Sequence, residues 1–286
     1  MPQERPLGRV KRVARFEVHR GDLGTGNAWE VNHLPSRRKA RFDMVDQAAA
    51  HQLLLQIARC PNVPTARADA SHPCHRVVGV QTELSPDERH VPEPWNGSIT
   101  TAPLLFISSN PSIDPHEVFP APPWSDADIS EFFDERFSKF IEDGVVPLRQ
   151  EGTGPKGQVR YLVQVRAMAR DIFGRAVVPG SDYALTEVVH CKSRKNIGVA
   201  KARPVCTEQW LSQILDASGA SVVVVLGKDA ASAVRGLLGI TESSAHTVHE
   251  RRHYLFLGAP GSNQPRKFAR CVPDEATRRQ IQAALG

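Results

Sequence analysis

The stretch that decides the fold runs from Asp182 to Gly227. It reads DYALTEVVHCKSRKN (182–196), then a basic loop closing on KARPVC (201–206), then TEQWLSQILDASGASVVVVLG (207–227). An apolar strand delivers Cys191 and a run of Lys and Arg. Cys206 is then expected to open an amphipathic helix, and a fully apolar strand stops at Gly227. Strand, thiol, cationic loop, thiol, helix and strand in this order predict a cofactor or metal clamp beside a site for a polyanion.

The segments on either side extend the same alternation. PLLFIS (103–108) reads as a buried strand of ordinary length. A long Pro-rich loop, IDPHEVFPAPPWSD (113–126), follows, of the kind that often covers a site. DADISEFFDERFSKFIED (126–143) is an amphipathic helix with Ser125 or Asp126 as its cap, and GQVRYLVQVRAMARDIFG (157–174) is another. Beyond Gly227 come a helix (228–239), a last strand RRHYLFLG (251–258), and a closing helix (274–285). Toward the N-terminus, a helix is expected near Met44 with Asp43 as its cap. A Pro- and His-rich loop at 61–75 and a short strand HRVVGVQTEL (75–84) come next. Apolar strands alternating with helices imply an α/β fold whose parallel sheet is covered on both faces. Ligands in such sheets bind at the carboxyl ends of the strands. That rule selects the loops after Ser108, His190 and Gly258.

Composition sets outer bounds. The 286 residues are 41% hydrophobic and 23% charged, ordinary values for a globular chain. They suffice for one large α/β domain, read here as residues 43–286 behind a basic extension at 1–42. No apolar run approaches a membrane span and the N-terminus lacks an apolar signal core, so a cytoplasmic monomer with no membrane partner is expected. The net charge is +5. Arg5, Arg9, Lys11, Arg12, Arg15 and Arg20 crowd the extension and Arg37, Arg38, Lys39 and Arg41 follow. That pattern suits either a solvated tail or a nucleic-acid arm. Five cysteines spread over more than two hundred residues make a poor disulfide framework, which leaves core thiols or ligands.

The first selected loop is Ser108-Ser109-Asn110-Pro111-Ser112, a tight turn that holds an Asn amide at the mouth of the sheet. Such an amide can orient a water through its oxygen, or simply shape an Asx turn. Taken with TEVVHC, KSRKN, ARPVC and VVVVLGKDAASAV, this turn resembles the uracil-DNA glycosylase superfamily, most closely its iron–sulfur members of the family four and five type. The likeness spans roughly residues 100–270 and rests on the ordered combination of motifs.

The resemblance implies a three-layer α/β/α fold with a central four-stranded parallel sheet, and a monofunctional glycosylase that flips uracil out of DNA and hydrolyses its N-glycosidic bond. Asn110 would position the water. Ser109, Phe119, Trp124 and Glu187 would hold the base, Trp124 matching the stacking aromatic slightly better than Phe119. Arg194, Lys195, Ser262, Asn263, Arg266 and Lys267 would grip DNA, single- or double-stranded. Cys60, Cys74, Cys191 and Cys206 would ligate a structural [4Fe–4S] cluster, with Cys271 left as a core thiol and no nucleotide cofactor.

Four departures accompany the likeness. Ser108 stands where the family turn has Gly. Glu187 stands where many members place the Asn that reads uracil, which raises hypoxanthine as an alternative base. Ala259 replaces a His that stabilises the departing base, leaving His190 and His253 as substitutes by loop proximity and a non-catalytic nucleic-acid-binding module as a further alternative. Cys60 and Cys74 are thirteen residues apart, where the family has a close pair.

Overall fold

The computed structural model describes residues 37–82, 84–113, 117, 119–141, 160–260 and 267–286, with side chains described from Gln47 onward and not at 138–141. The basic extension through Ser36, most of the last loop, and residues 142–159 lie outside this set.

Among the described residues the chain is a mixed α/β structure around a six-stranded sheet. Its elements are α1 (Arg37–Ala58), α2 (Asn62–Ala68), α3 (His75–Val78), β1 (Trp95–Asn96), β2 (Leu104–Ser108), α4 (Asp126–Ile141), α5 (Arg160–Phe173), β3 (Tyr183–Glu187), α6 (Val199–Cys206), α7 (Ser212–Ala217), β4 (Val222–Leu226), α8 (Lys228–Leu238), β5 (His246–His249), β6 (Arg252–Leu257), α9 (Phe268–Cys271) and α10 (Glu275–Ala284). The strand order is β1-β3-β2-β4-β6-β5. Neighbours among β3, β2, β4 and β6 are parallel, while β1 and β5 pair antiparallel at the two edges.

The inner strands are mostly apolar because helices cover both faces, β4 at every position, with polar residues at the carboxyl ends of β2 and β3 and at the start of β6. Leu105, Ile107, Val223 and Val225 pack on one side against α1, α6, α7 and α8. Leu104, Phe106, Val222 and Val224 pack on the other against α5, α9 and α10. The chain leaves β2 for β3 on one flank and returns past β2 to β4 and β6 on the other. The strand order therefore reverses at β2, and in sheets of this kind ligands bind outside the carboxyl ends of the strands at that point.

Several local expectations change. Helix α1 begins at Arg37, inside the segment read as extension. Residues 62–68 form α2 rather than loop, and 75–81 form α3 and a 3₁₀ turn rather than a strand. Val77 and Val78 are buried against the first core, and that tertiary burial overrides the β preference of a valine pair. Cys206 does not open a helix. It ends α6, which follows Gly198 as a left-handed N-cap and carries Pro204 internally, and a wider π turn at Thr207–Leu211 joins α6 to α7. Ser125 caps α4 as anticipated, accepting from Asp128 N at 3.2 Å while its hydroxyl donates to the Asp128 carboxylate at 2.6 Å.

Gly198 ties the cationic loop to α3. Its φ is +79°, and a Cβ there would lie 2.3 Å from Val77 N and 2.7 Å from the Arg76 carbonyl carbon, both rigid backbone. Gly198→Ala is therefore expected to cost about 2 kcal/mol or more, read as a lower midpoint in urea unfolding at unchanged slope.

Candidate functional site

At the carboxyl ends of β2 and β3 the pairing continues beyond the ladder. Val188 N donates to Ser108 O at 2.9 Å, Val189 N to Ser109 O at 3.0 Å, and Ser193 N to Pro111 O at 2.9 Å. The turn carrying Asn110 thus runs beside the segment that carries Glu187, His190, Cys191 and Lys192. Asn110 is half-buried, and its Nδ2 donates to Pro111 O at 3.1 Å, which turns the amide oxygen away from its own backbone.

Beneath this turn lies a buried ion network drawn from four segments. Arg136 of α4 bridges two carboxylates, Nη1 to Glu93 Oε1 and Nη2 to Glu117 Oε1, each at 2.7 Å. Lys192, only 1% exposed, places Nζ 2.6 Å from Glu117 Oε2 and 3.8 Å from Glu93 Oε2. Asn96 of β1 donates to Glu93 Oε1 at 2.6 Å and accepts from Arg136. Two cations meet two anions, so the set is neutral. Charges this deep are tolerated only when paired and hydrogen-bonded. Arg136 and Lys192 hold the Glu93 carboxyl at about 2 in spite of its burial.

Glu187 adjoins this network without a cation of its own. It is 3% exposed, Ser108 Oγ donates to its Oε1 at 3.3 Å, and its Oε2 has no hydrogen-bond partner. Burial first, and the negative Glu93 second, push its carboxyl up to about 8, against the pull of Arg136 and Lys192. The Tyr161 hydroxyl of α5 lies near enough to feel Glu187 and Ser108 and is itself pushed up, chiefly by burial. Neither that hydroxyl nor Ser109 Oγ has a partner in good geometry.

The aromatic candidates separate. Phe119 is buried with its ring already engaged: His90 stacks on it at 4.8 Å and the Lys192 ammonium sits 3.6 Å from its centroid. Trp124 packs edge-on to Phe132 of α4, and its carbonyl accepts from Arg59 after α1 at 2.6 Å. These contacts put Trp124 beside α1 and α4. Arg194 and Lys195 are exposed, with Lys195 and Asn196 at φ of 52° and 58°. Lys267 is exposed at the start of α9, whereas Ser262, Asn263 and Arg266 lie outside the described residues. Lys192, the first cation after β3, is sequestered by Glu117 and Glu93 and does not join these exposed residues.

Neither histidine proposed to replace the one missing at Ala259 is in position as a donor. His190 Nδ1 donates to Glu93 O at 2.8 Å, and burial drives its pKa down to about 4, so the ring is neutral and its buried Nε2 carries a lone pair. His253 pairs in register with Val222 at the start of β4, the opposite end of the sheet, and lies 3.1 Å from His246. Ala259 itself sits against Gly227 (φ +84°), where an added Cβ would come within 3.0 Å of the alanine methyl.

The cysteines fall in two core clusters. Cys60, Cys74, Cys191 and Cys206 belong to one core cluster and Cys271 to the other, and none forms a disulfide. The four thiols interact. Cys206 donates to Cys74, which lowers Cys74 and raises Cys206, while Cys191 feels both Cys60 and Cys74 and is pushed up mainly by burial. Arg67, itself beside Arg89, lies within electrostatic reach of Cys191. Among the described residues no group of three or more His, Cys, Asp or Glu is closed into a ready metal cage. The thiols come from the turn after α1, the residue before α3, the segment after β3 and the end of α6, and lie within electrostatic reach of one another.

Compared with protein-family models and with curated protein sequences, the chain matches none. Among the described residues no helix is long and apolar enough to cross a membrane.

Sequence reasoning did not find Glu93, Glu117, Arg136 or Tyr161. Arg136→Met leaves Glu93 and Glu117 with Lys192 as their one cation, hence one buried negative charge in excess, and is expected to cost about 3–5 kcal/mol in denaturant unfolding. The double variant Glu93→Gln/Arg136→Met should recover part of that loss, because the two positions share one interaction.

Proposed function

We propose that the chain is a monofunctional DNA glycosylase that excises uracil, allied to the iron–sulfur members of the uracil-DNA glycosylase superfamily. The observation that carries this reading is the meeting of four thiols, two separated by thirteen residues and two by fourteen, beside the strand end that bears Glu187. The finer fold assignment belongs to the same proposal, with β3, β2, β4 and β6 standing for the central parallel sheet of that three-layer fold.

The donor set fits a [4Fe–4S] cluster in kind: four buried, unbridged cysteines with cationic Arg67 near one of them to offset thiolate charge. Cys60, Cys74, Cys191 and Cys206 would hold it, and its contribution is a structural clamp between the N-terminal helices and the sheet. Arg194, Lys195 and Lys267, with Ser262, Asn263 and Arg266 of the last loop, are assigned to phosphate contacts.

In the reaction the flipped nucleotide enters the carboxyl-end crevice. The bond between C1′ and the base nitrogen breaks with its electron pair leaving on the base. A water held by the Asn110 side-chain oxygen attacks C1′, and its proton is released to neutralise the base. Ser109 and Glu187 are assigned to the base. The engaged ring of Phe119 then acts as a wall backed by His90 and Lys192, and Trp124 is a stacking partner only if the covering loop brings it over.

Single-turnover assays on oligonucleotides carrying uracil or hypoxanthine, followed by alkaline cleavage of abasic sites, test the function. Breaks at uracil are expected, and Asn110→Ala should slow them about hundredfold or more. Absence of breaks at either base with DNA binding retained would leave the non-catalytic module standing instead. Protein purified without oxygen should be brown and carry about four irons per chain. A colourless, iron-free product rules the cluster out.

A further inference from the structure

One polar atom at the end of β3 has no partner among the described residues. Glu187 Oε2 is a buried oxygen with no hydrogen bond, and buried polar atoms of this kind are uncommon enough to call for an explanation. The groups facing it from neighbouring elements are Glu93 before β1, Arg136 on α4, Tyr161 on α5, Lys192 after β3 and Ser108 on β2. Arg136 and Lys192 are spent on Glu93 and Glu117, so a third carboxylate here would be an uncompensated buried charge.

We infer that Glu187 works as a neutral carboxylic acid whose Oε2–H donates to a carbonyl oxygen of the flipped base while Oε1 accepts the adjacent ring N–H, making it the electrophilic donor of the site. This rests on the glycosylase reading and deepens it. Because Ser108 Oγ already donates to Oε1, the proton belongs on Oε2. A neutral acid then offers a donor beside an acceptor, the same pair an Asn amide offers to the lactam edge of uracil. A carboxylate offers two acceptors and repels the base oxygen.

The same hydrogen bond strengthens as the glycosidic bond breaks, because the electron pair that leaves with the base spreads onto its carbonyl oxygens. A preorganised donor aimed at developing oxyanion charge is the contribution that Ala259 cannot make. The proton stays on Oε2 through the step, and the departing base anion is neutralised by the proton released from the attacking water. His190 cannot share the role, since its buried ring nitrogen is an acceptor.

The sign of the pH dependence follows. Burial and Glu93 favour the protonated form up to about pH 8, so activity is full below that value and falls about tenfold per unit above it. The test is single-turnover uracil excision from single-stranded oligonucleotides between pH 6 and 10. Glu187→Gln keeps a donor and an acceptor without titrating. It should stay within about tenfold of the parent at neutral pH and lose this alkaline limb, while Glu187→Leu should fall about hundredfold or more at every pH. Carboxyl ¹³C titration of the unsubstituted chain gives an independent reading, with Glu187 expected to titrate near 8. An active parent with an alkaline limb unchanged in Glu187→Gln, or a carboxyl titrating in the ordinary carboxylate range, overturns this role and leaves the glycosylase reading intact. An inactive parent overturns both.

Discussion

Charge neutrality in a buried space is the constraint from which the rest of this structure can be read. Glu93, Glu117, Arg136 and Lys192 come from the loop before β1, the loop after β2, α4, and the segment after β3. Each is nearly inaccessible to water, and each alone would be prohibitive there. Together they fix the position of α4 against the two strand ends that bear Asn110 and Glu187. They also explain why an antiparallel two-residue strand is present at all. Trp95–Asn96 brings the Asn96 side chain between Glu93 and Arg136, and its backbone pairs with Thr186 and Leu185 beside Glu187.

The network also sets the chemistry of what it leaves out. A sheet edge with two buried anions and two buried cations has no spare positive charge for another carboxylate. Glu187 and Glu93 therefore diverge, one held near 8 and the other near 2, though they share an environment. Pairs of titratable groups pushed apart in this way are a feature of sites as well as of structural ion pairs. Here the distinction is geometric. Glu93 Oε1 is held by Arg136 and Asn96 and its Oε2 faces the Lys192 ammonium at 3.8 Å, whereas Glu187, at the carboxyl end of β3, has one weak donor and no cation paired to it.

How much of this could be read in the sequence follows from what each part depends on. PLLFIS, YALTE, VVVVL and HYLFL are recognisable because strands buried on both faces carry short, mostly apolar runs. The edge strands are not. Trp95–Asn96 sits between prolines and a glycine, and His246–His249 is half-exposed with no clean alternation. HRVV is too short for periodicity to separate helix from strand, and burial against the first core decides it. The four thiols were legible as a set because cysteines are few. Arg136 and Lys192 were not, because a charged residue in an amphipathic helix or a basic loop is ordinarily solvated, and nothing local marks the two that turn inward.

The segment from Glu187 to Ser193 is where the two halves of the molecule share one backbone. Glu187 faces the ion network, His190 is locked to Glu93 through both its backbone carbonyl and its ring, Cys191 reaches the thiols, and Lys192 returns to Glu117. Consecutive side chains thus point to the clamp and to the site in turn. Any shift that relaxes Cys191 must also move Lys192, and a displaced Lys192 changes the field at Glu187 and the support behind Phe119. On the proposed reading, a cluster on the four thiols would do more than hold the N-terminal helices on the sheet: it would fix the register of the segment that supports Glu187, coupling clamp and site through packing and charge.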